Sequence, residues 1–124
     1  MNRPTGKRLR VLLVDDNPQV RSNLRSMLSL IDDLEISGEA GDGQEAVELA
    51  RALNPDVVLM DLEMPRLNGF EASARIKRDR PSVRVVALTI HDDEAAHRRA
   101  SQAGIDAFIV KGVSLEVLLE AIRG

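Results

Sequence analysis

Four runs of almost uninterrupted apolar residues limit what this chain can fold into: VLLV (Val11–Val14), VVLM (Val57–Met60), VVAL (Val85–Leu88) and AFIV (Ala107–Val110). A strand wetted on one face alternates apolar and polar side chains. One that is apolar at every position is covered on both faces, as in a parallel sheet. LEISGEA (Leu34–Ala40) does alternate, with Leu34 and Ile36 against Glu35 and Ser37, and reads as an edge strand. Helical patterns separate these segments. Val20, Leu24, Met27, Leu28 and Ile31 form one apolar stripe, opened by Asn17 as N-cap and Pro18 at the first helical position. GQEAVELARAL (43–53), GFEASARIKR (69–78), DDEAAHRRASQAG (92–104) and SLEVLLEAIRG (114–124, with Ser114 as N-cap) give four more.

Strands alternating with helices predict a single-domain, doubly wound α/β fold with a five-stranded parallel sheet and five helices. Right-handed crossovers leave few topologies, and the flavodoxin-like order 2-1-3-4-5 is the natural one. The 124 residues suffice for one such domain. Its core must be aliphatic, because Phe70 and Phe108 are the only aromatic residues. That scarcity removes the stacking platforms of single-stranded nucleic-acid binders, and a net charge of −3 argues against a basic nucleic-acid face. The chain has no cysteine for a disulfide, thiolate metal site or thiol nucleophile. No apolar stretch approaches a membrane span and no secretory segment opens the sequence, so a cytoplasmic location without membrane contact is expected. Residues 1–8 read as an N-terminal leader, with Arg3, Lys7, Arg8 and Arg10 as solvated basic residues ahead of the first strand.

In an open α/β sheet, ligands bind beyond the carboxyl ends of the strands, where the strand order reverses. Four of those ends are polar here: Asp15 and Asp16 after strand 1, Asp61 at strand 3, Thr89 at strand 4 and Lys111 at strand 5. Each has a plain structural role open to it, such as capping a helix or turn, or solvation. Together they form a charge problem. Carboxylates at ~4 Å repel by roughly 4 kcal/mol per pair at an effective dielectric of ~20. Lys111 offsets one of the three charges and a divalent cation would offset the others. Ligands that are all oxygen, without His or Cys, select a hard ion, Mg²⁺ before Zn²⁺ or Cu²⁺.

The motifs VDD after strand 1, VVLMDLEMPRLNG around strand 3, ALT at strand 4 and FIVKG at strand 5 resemble the receiver domain of two-component response regulators, from about Leu9 to Ile122. The resemblance implies a receiver over residues 9–124 that accepts a phosphoryl group from a sensor histidine kinase on Asp61. It is a signalling role rather than an enzyme's, although receivers assist their own phosphorylation and dephosphorylation. Asp16, Asp61 and the backbone carbonyl of Glu63 would hold Mg²⁺, with Asp15 acting through a bound water. Thr89 and Lys111 would contact the phosphoryl oxygens, and Thr89 with Phe108 would form the switch. Glu63 and His91, each two positions beyond a site residue, would tune the lifetime of the phosphoryl group. The Ala-rich fourth helix is the expected mover, since small side chains bury little area.

Two features depart from the common pattern. Many receivers follow the strand-5 lysine with proline, often through a cis peptide, and here Gly112 stands in that place. A cis bond before a non-proline residue costs ~2.5–4 kcal/mol, so a trans turn or an unusual glycine geometry is expected. The absence of that proline, and the stretch ISGEAGDGQEAVELARALNPDVVLMDLEMPRLNG, resemble the NarL/LuxR-type branch. Those regulators continue past the fifth helix into a helix-turn-helix domain. The expectation is therefore a receiver cut from a longer protein, with DNA binding only through that further part and homodimerisation on phosphorylation. Two alternatives remain at this point. A haloacid dehalogenase-type Mg²⁺ phosphohydrolase would want an aspartate where Glu63 stands, and a phosphorylation-silent module would tend to lose the acids or the lysine that are present here.

Overall fold

The computed structural model describes residues 7–64 and 67–124. Pro65 in the MPRLNG turn, and Arg3 with the rest of residues 1–6 of the expected leader, lie outside the described residues. The elements alternate throughout: β1 (Leu9–Val14), α1 (Pro18–Leu28), β2 (Leu34–Ala40), α2 (Gly43–Leu53), β3 (Val57–Asp61), α3 (Gly69–Asp79), β4 (Arg84–Thr89), α4 (Glu94–Gln102), β5 (Ala107–Val110) and α5 (Leu115–Arg123). All five strands are parallel, in the order β2-β1-β3-β4-β5. The β1–β2 register shifts by one residue between Val11 and Leu12.

Side-chain alternation along the strands splits the core into two layers. Leu12, Val14, Val58, Met60, Val85 and Ala87 face α2 and α3, where Ala46, Val47, Ala50, Ala72 and Ile76 meet them. Val11, Leu13, Val57, Leu59, Val86 and Leu88 face α1 and α5, against Leu28, Leu118, Ala121 and Ile122. The pattern explains the unbroken apolar runs inside β1, β3 and β4. β5 has the same composition but lies at an edge of the sheet, and its four residues are only half-buried. The α1 stripe is also less covered than its periodicity suggests: Leu28 is fully buried, whereas Val20, Leu24 and Met27 remain half-buried.

A side-chain oxygen caps the start of each helix. Asn17, Asp42, Asn68, Asp93 and Ser114 accept first-turn backbone N–H groups. At the other end of α2, Asn54 takes the left-handed conformation with φ of 51°. Arg10 corrects the expected solvated leader. It belongs to β1, and its guanidinium donates to the carbonyls of Leu53 (2.6 Å) and Asn54 (3.1 Å). A cation at a helix C-terminus meets unpaired carbonyls and the negative end of the helix dipole, so this arginine is held rather than free. Arg10→Ala is expected to lower stability by about 1 kcal/mol, read as an earlier urea midpoint at unchanged slope.

α4 is the most loosely held helix by burial: Ala100 is buried, Ala96 is half-buried, and the rest of the helix is exposed. Among the described residues no peptide bond is cis, so Lys111–Gly112 is trans, and Gly112 turns the chain at φ 100°. That angle is open to glycine and disfavours other residues. It lets the chain leave β5 sharply toward α5, which keeps Lys111 at the mouth of the sheet.

Candidate functional site

The polar residues at the strand ends meet at the carboxyl edge of the sheet. Asp15 (2% exposed), Asp61 (1%) and Thr89 (1%) are buried there. Lys111 is half-buried and Asp16 lies exposed at the rim. One oxygen from each of Asp15, Asp16 and Asp61 lies within 4.8 Å of the other two. Lys111 Nζ approaches Asp61 Oδ1 at 3.3 Å and Asp15 Oδ2 at 3.5 Å.

Local backbone geometry fixes the acids. Asp15 Oδ1 accepts the Asn17 N–H at 2.9 Å, which folds the DDNP turn back on itself before α1 begins. Arg21, one turn into α1, donates through Nη1 to the Asp15 carbonyl at 2.5 Å and through Nε to Glu39 at 3.3 Å. Asp61 Oδ1 accepts the Glu63 N–H at 3.0 Å, so the chain leaving β3 curls around its own carboxylate.

Burial pushes the Asp61 carboxyl up to about 6. The neighbouring Asp15 charge adds to the rise, while the Glu63 N–H and the Lys111 ammonium oppose it. Burial works against the charge on Lys111, yet the charges and hydrogen bonds of Asp61 and Asp15 hold its ammonium above the ordinary lysine value. The cluster therefore carries more negative charge than one lysine can neutralise, an imbalance that a divalent cation would relieve. Donors that are all oxygen, two of the three carboxylates buried, fit a hard divalent ion with room for water in its shell.

Around Thr89 the structure brings together Glu63, His91 and α4. The Thr89 hydroxyl donates to Glu63 Oε2 at 2.5 Å, and Glu63 Oε1 accepts the Ile90 N–H at 3.2 Å. The His91 N–H donates to Thr89 Oγ1 at 3.0 Å, while the residue as a whole is exposed. Phe108 is half-buried, and the ring of His97 on α4 rests on it with centroids 3.9 Å apart.

Three of these contacts had no sequence signal of their own. Arg21 reaches Asp15 because α1 starts right after the turn. The Glu63 side chain crosses to β4, and His97 meets Phe108 only because α4 packs over β5.

Residues 11–123 match the family model of the response regulator receiver domain. The chain belongs to that family. Response regulator GacA of Pseudomonas viridiflava is 42% identical over 115 residues, covering 93% of this chain and 54% of GacA. The response regulator domain of Thermotoga maritima CheB superposes with a TM-score of 0.86 at 38% identity, over 94% of this chain and 95% of that one. The signal receiver domain of the response regulator NarL from Mycobacterium tuberculosis gives 0.87 at 32% identity, over 95% and 98%. The chain thus spans about half the length of the curated relatives it matches. Receivers are signalling domains of two-component systems rather than classical enzymes, and they bind Mg²⁺ at an acidic pocket. The cluster of Asp15, Asp16 and Asp61 is a pocket of that chemistry. No helix among the described residues is long and apolar enough to cross a membrane.

Proposed function

We propose that this receiver accepts a phosphoryl group on Asp61 from the phosphohistidine of a sensor histidine kinase. The observation that carries the reading is the buried Asp61 carboxylate with the Lys111 ammonium 3.3 Å from its Oδ1, beside two further acids. An Asp61 oxygen attacks phosphorus, the phosphorus–nitrogen bond breaks, and the imidazole leaves with the electron pair and takes up a proton. The product is an acyl phosphate. Such a transfer asks the protein mainly for positioning and charge neutralisation. Asp16, Asp61 and the Glu63 carbonyl would hold Mg²⁺, with Asp15 through water, and the ion would supply charge neutralisation at the phosphoryl oxygens. Lys111 would meet one phosphoryl oxygen and the Thr89 hydroxyl another.

The new group adds negative charge and strong acceptors where one carboxylate stood. Thr89 moving toward it, with Phe108 following, would loosen α4, which is anchored only by Ala100 and the half-buried Ala96. His91, exposed at the rim, would tune the attack of water on the acyl phosphate. The resulting surface would favour a homodimer and act on a DNA-binding output outside this chain. Intact mass after incubation with acetyl phosphate tests the reading. One added phosphoryl group is expected, dependent on Mg²⁺ and lost in Asp61→Asn. A chain that takes up no phosphoryl group and also releases no phosphate above the Asp61→Asn background would refute it.

A further inference from the structure

Building on that reading, we infer that the Glu63 side chain is the resident acceptor of the Thr89 hydroxyl and must be displaced before Thr89 can serve a phosphoryl group on Asp61. A threonine hydroxyl has one proton to give. Here it goes to Glu63 Oε2, while the hydroxyl oxygen accepts the His91 N–H, so Thr89 is committed on both sides. The other Glu63 oxygen holds the Ile90 N–H. One carboxylate thus clamps both the last side chain of β4 and the first amide beyond it, although Ile90 itself is 65% exposed and its amide could bond to water instead.

The clamp and the acyl phosphate compete for a single proton. Hydrogen bonds to a charged acceptor are stronger than those between neutral groups, so Glu63 is a rival of the same kind as the phosphoryl oxygen. Repulsion acts in the same direction as competition. A phosphoryl group brings close to two negative charges, and Asp61 lies only two residues from Glu63. Once displaced, the carboxylate opens onto a cleft of about 340 Å³ between β4 and α4 that Arg99 also lines. There the Arg99 guanidinium lies 4.0 Å above the ring of Phe70 and offers a cation in the same cleft. Glu63 therefore holds the β4–α4 loop in its unphosphorylated arrangement and sets how strongly the site must be loaded before the loop moves.

Two measurements test this together. The first is amide hydrogen exchange at Ile90 without any phosphoryl group, where protection is expected in the native chain and its loss in Glu63→Ala. The second is the affinity of beryllofluoride, a phosphoryl mimic, with Mg²⁺ present. Glu63→Ala should bind it about tenfold more tightly, the scale of one net hydrogen bond to a charged group. In a Thr89→Ala background the same substitution should gain about threefold or less, because the competition is gone and only charge remains. Equal gains in the two backgrounds, no gain with Thr89 present, or unprotected Ile90 in the native chain would each overturn the clamp alone. Failure of the native chain to bind beryllofluoride would instead overturn the phosphoacceptor reading and the clamp with it. Glu63→Gln, which keeps the size and a weaker acceptor, should show the same gain in reduced form and serves if the alanine variant does not fold.

Discussion

Asp61→Asn is expected to make the metal-free domain more stable at pH 8, by roughly 2–3 kcal/mol, while abolishing phosphoryl uptake. The gain follows from burial. Asp61 is 1% exposed, and burial pushes its carboxyl from the ordinary 3.8 up to about 6. The folded state therefore binds the proton more tightly than the unfolded chain. The stability linked to that proton is fully present below the unfolded value and is lost as pH rises through about 6. At pH 8 the native chain holds an ionised carboxylate that it would fold more readily without. The Asn amide oxygen can take the place of Oδ1, accepting the Glu63 N–H and facing Lys111, so the substitution removes charge with little loss of shape. Urea denaturation in EDTA across pH 4 to 8 checks this: the two curves should converge toward pH 4, part as pH rises to about 6, and run at a constant separation above it. Added Mg²⁺ should then stabilise the native chain by mass action and the variant far less. A variant that stays less stable than the native chain throughout would mean that Asp61 is not a buried, uncompensated charge.

That destabilising carboxylate was legible from the sequence because the sheet has a simple phase rule. Runs that are apolar at every position read as strands of one parallel sheet, so the first polar residue after each one falls at the same edge. Asp15, Asp61, Thr89 and Lys111 all follow from it, as do the N-caps Asn17 and Ser114 from their place before an apolar stripe. What the sequence leaves open depends on side chains reaching across loops. The Glu63 carboxylate has rotamers that point to solvent as readily as to Thr89, and no periodicity chooses between them. Arg10 looked like one of several leading basic residues. Only the close approach of β1 to the end of α2 gives it carbonyls to bind. The incomplete cover on Val20, Leu24 and Met27 is equally invisible in the sequence, since periodicity reports a face and not how much of it a neighbour reaches.

Gly69→Ala is expected to destabilise the domain by about 3 kcal/mol or more, the upper range for overpacking, and to disturb the phosphoacceptor loop with it. Gly69 opens α3, and its backbone angles are ordinary, so the requirement for glycine comes from contact alone. A Cβ there would stand 2.4 Å from the Asp61 carbonyl oxygen and 2.8 Å from Leu62 Cα. Both are backbone atoms at the end of a fully buried strand, and no rotamer change can move them aside. Relief requires shifting α3 away from the sheet or pushing the Asp61–Glu63 segment out of place. The second route moves the residue whose N–H positions Asp61 Oδ1. Gly41→Ala is the matching control, because its Cβ would meet only the tips of the Arg21 and Glu45 side chains, at 3.4 and 3.8 Å. Both are ordinary van der Waals separations that require nothing to move, and a change below about 1 kcal/mol is expected. Urea midpoints for the two variants, with beryllofluoride affinity measured where each is folded, separate the outcomes. Equal and small effects would show that α3 can slide without cost. A large loss confined to Gly69→Ala, with weakened binding of the mimic, would show that the close seat of α3 against β3 is what holds the acceptor loop in place.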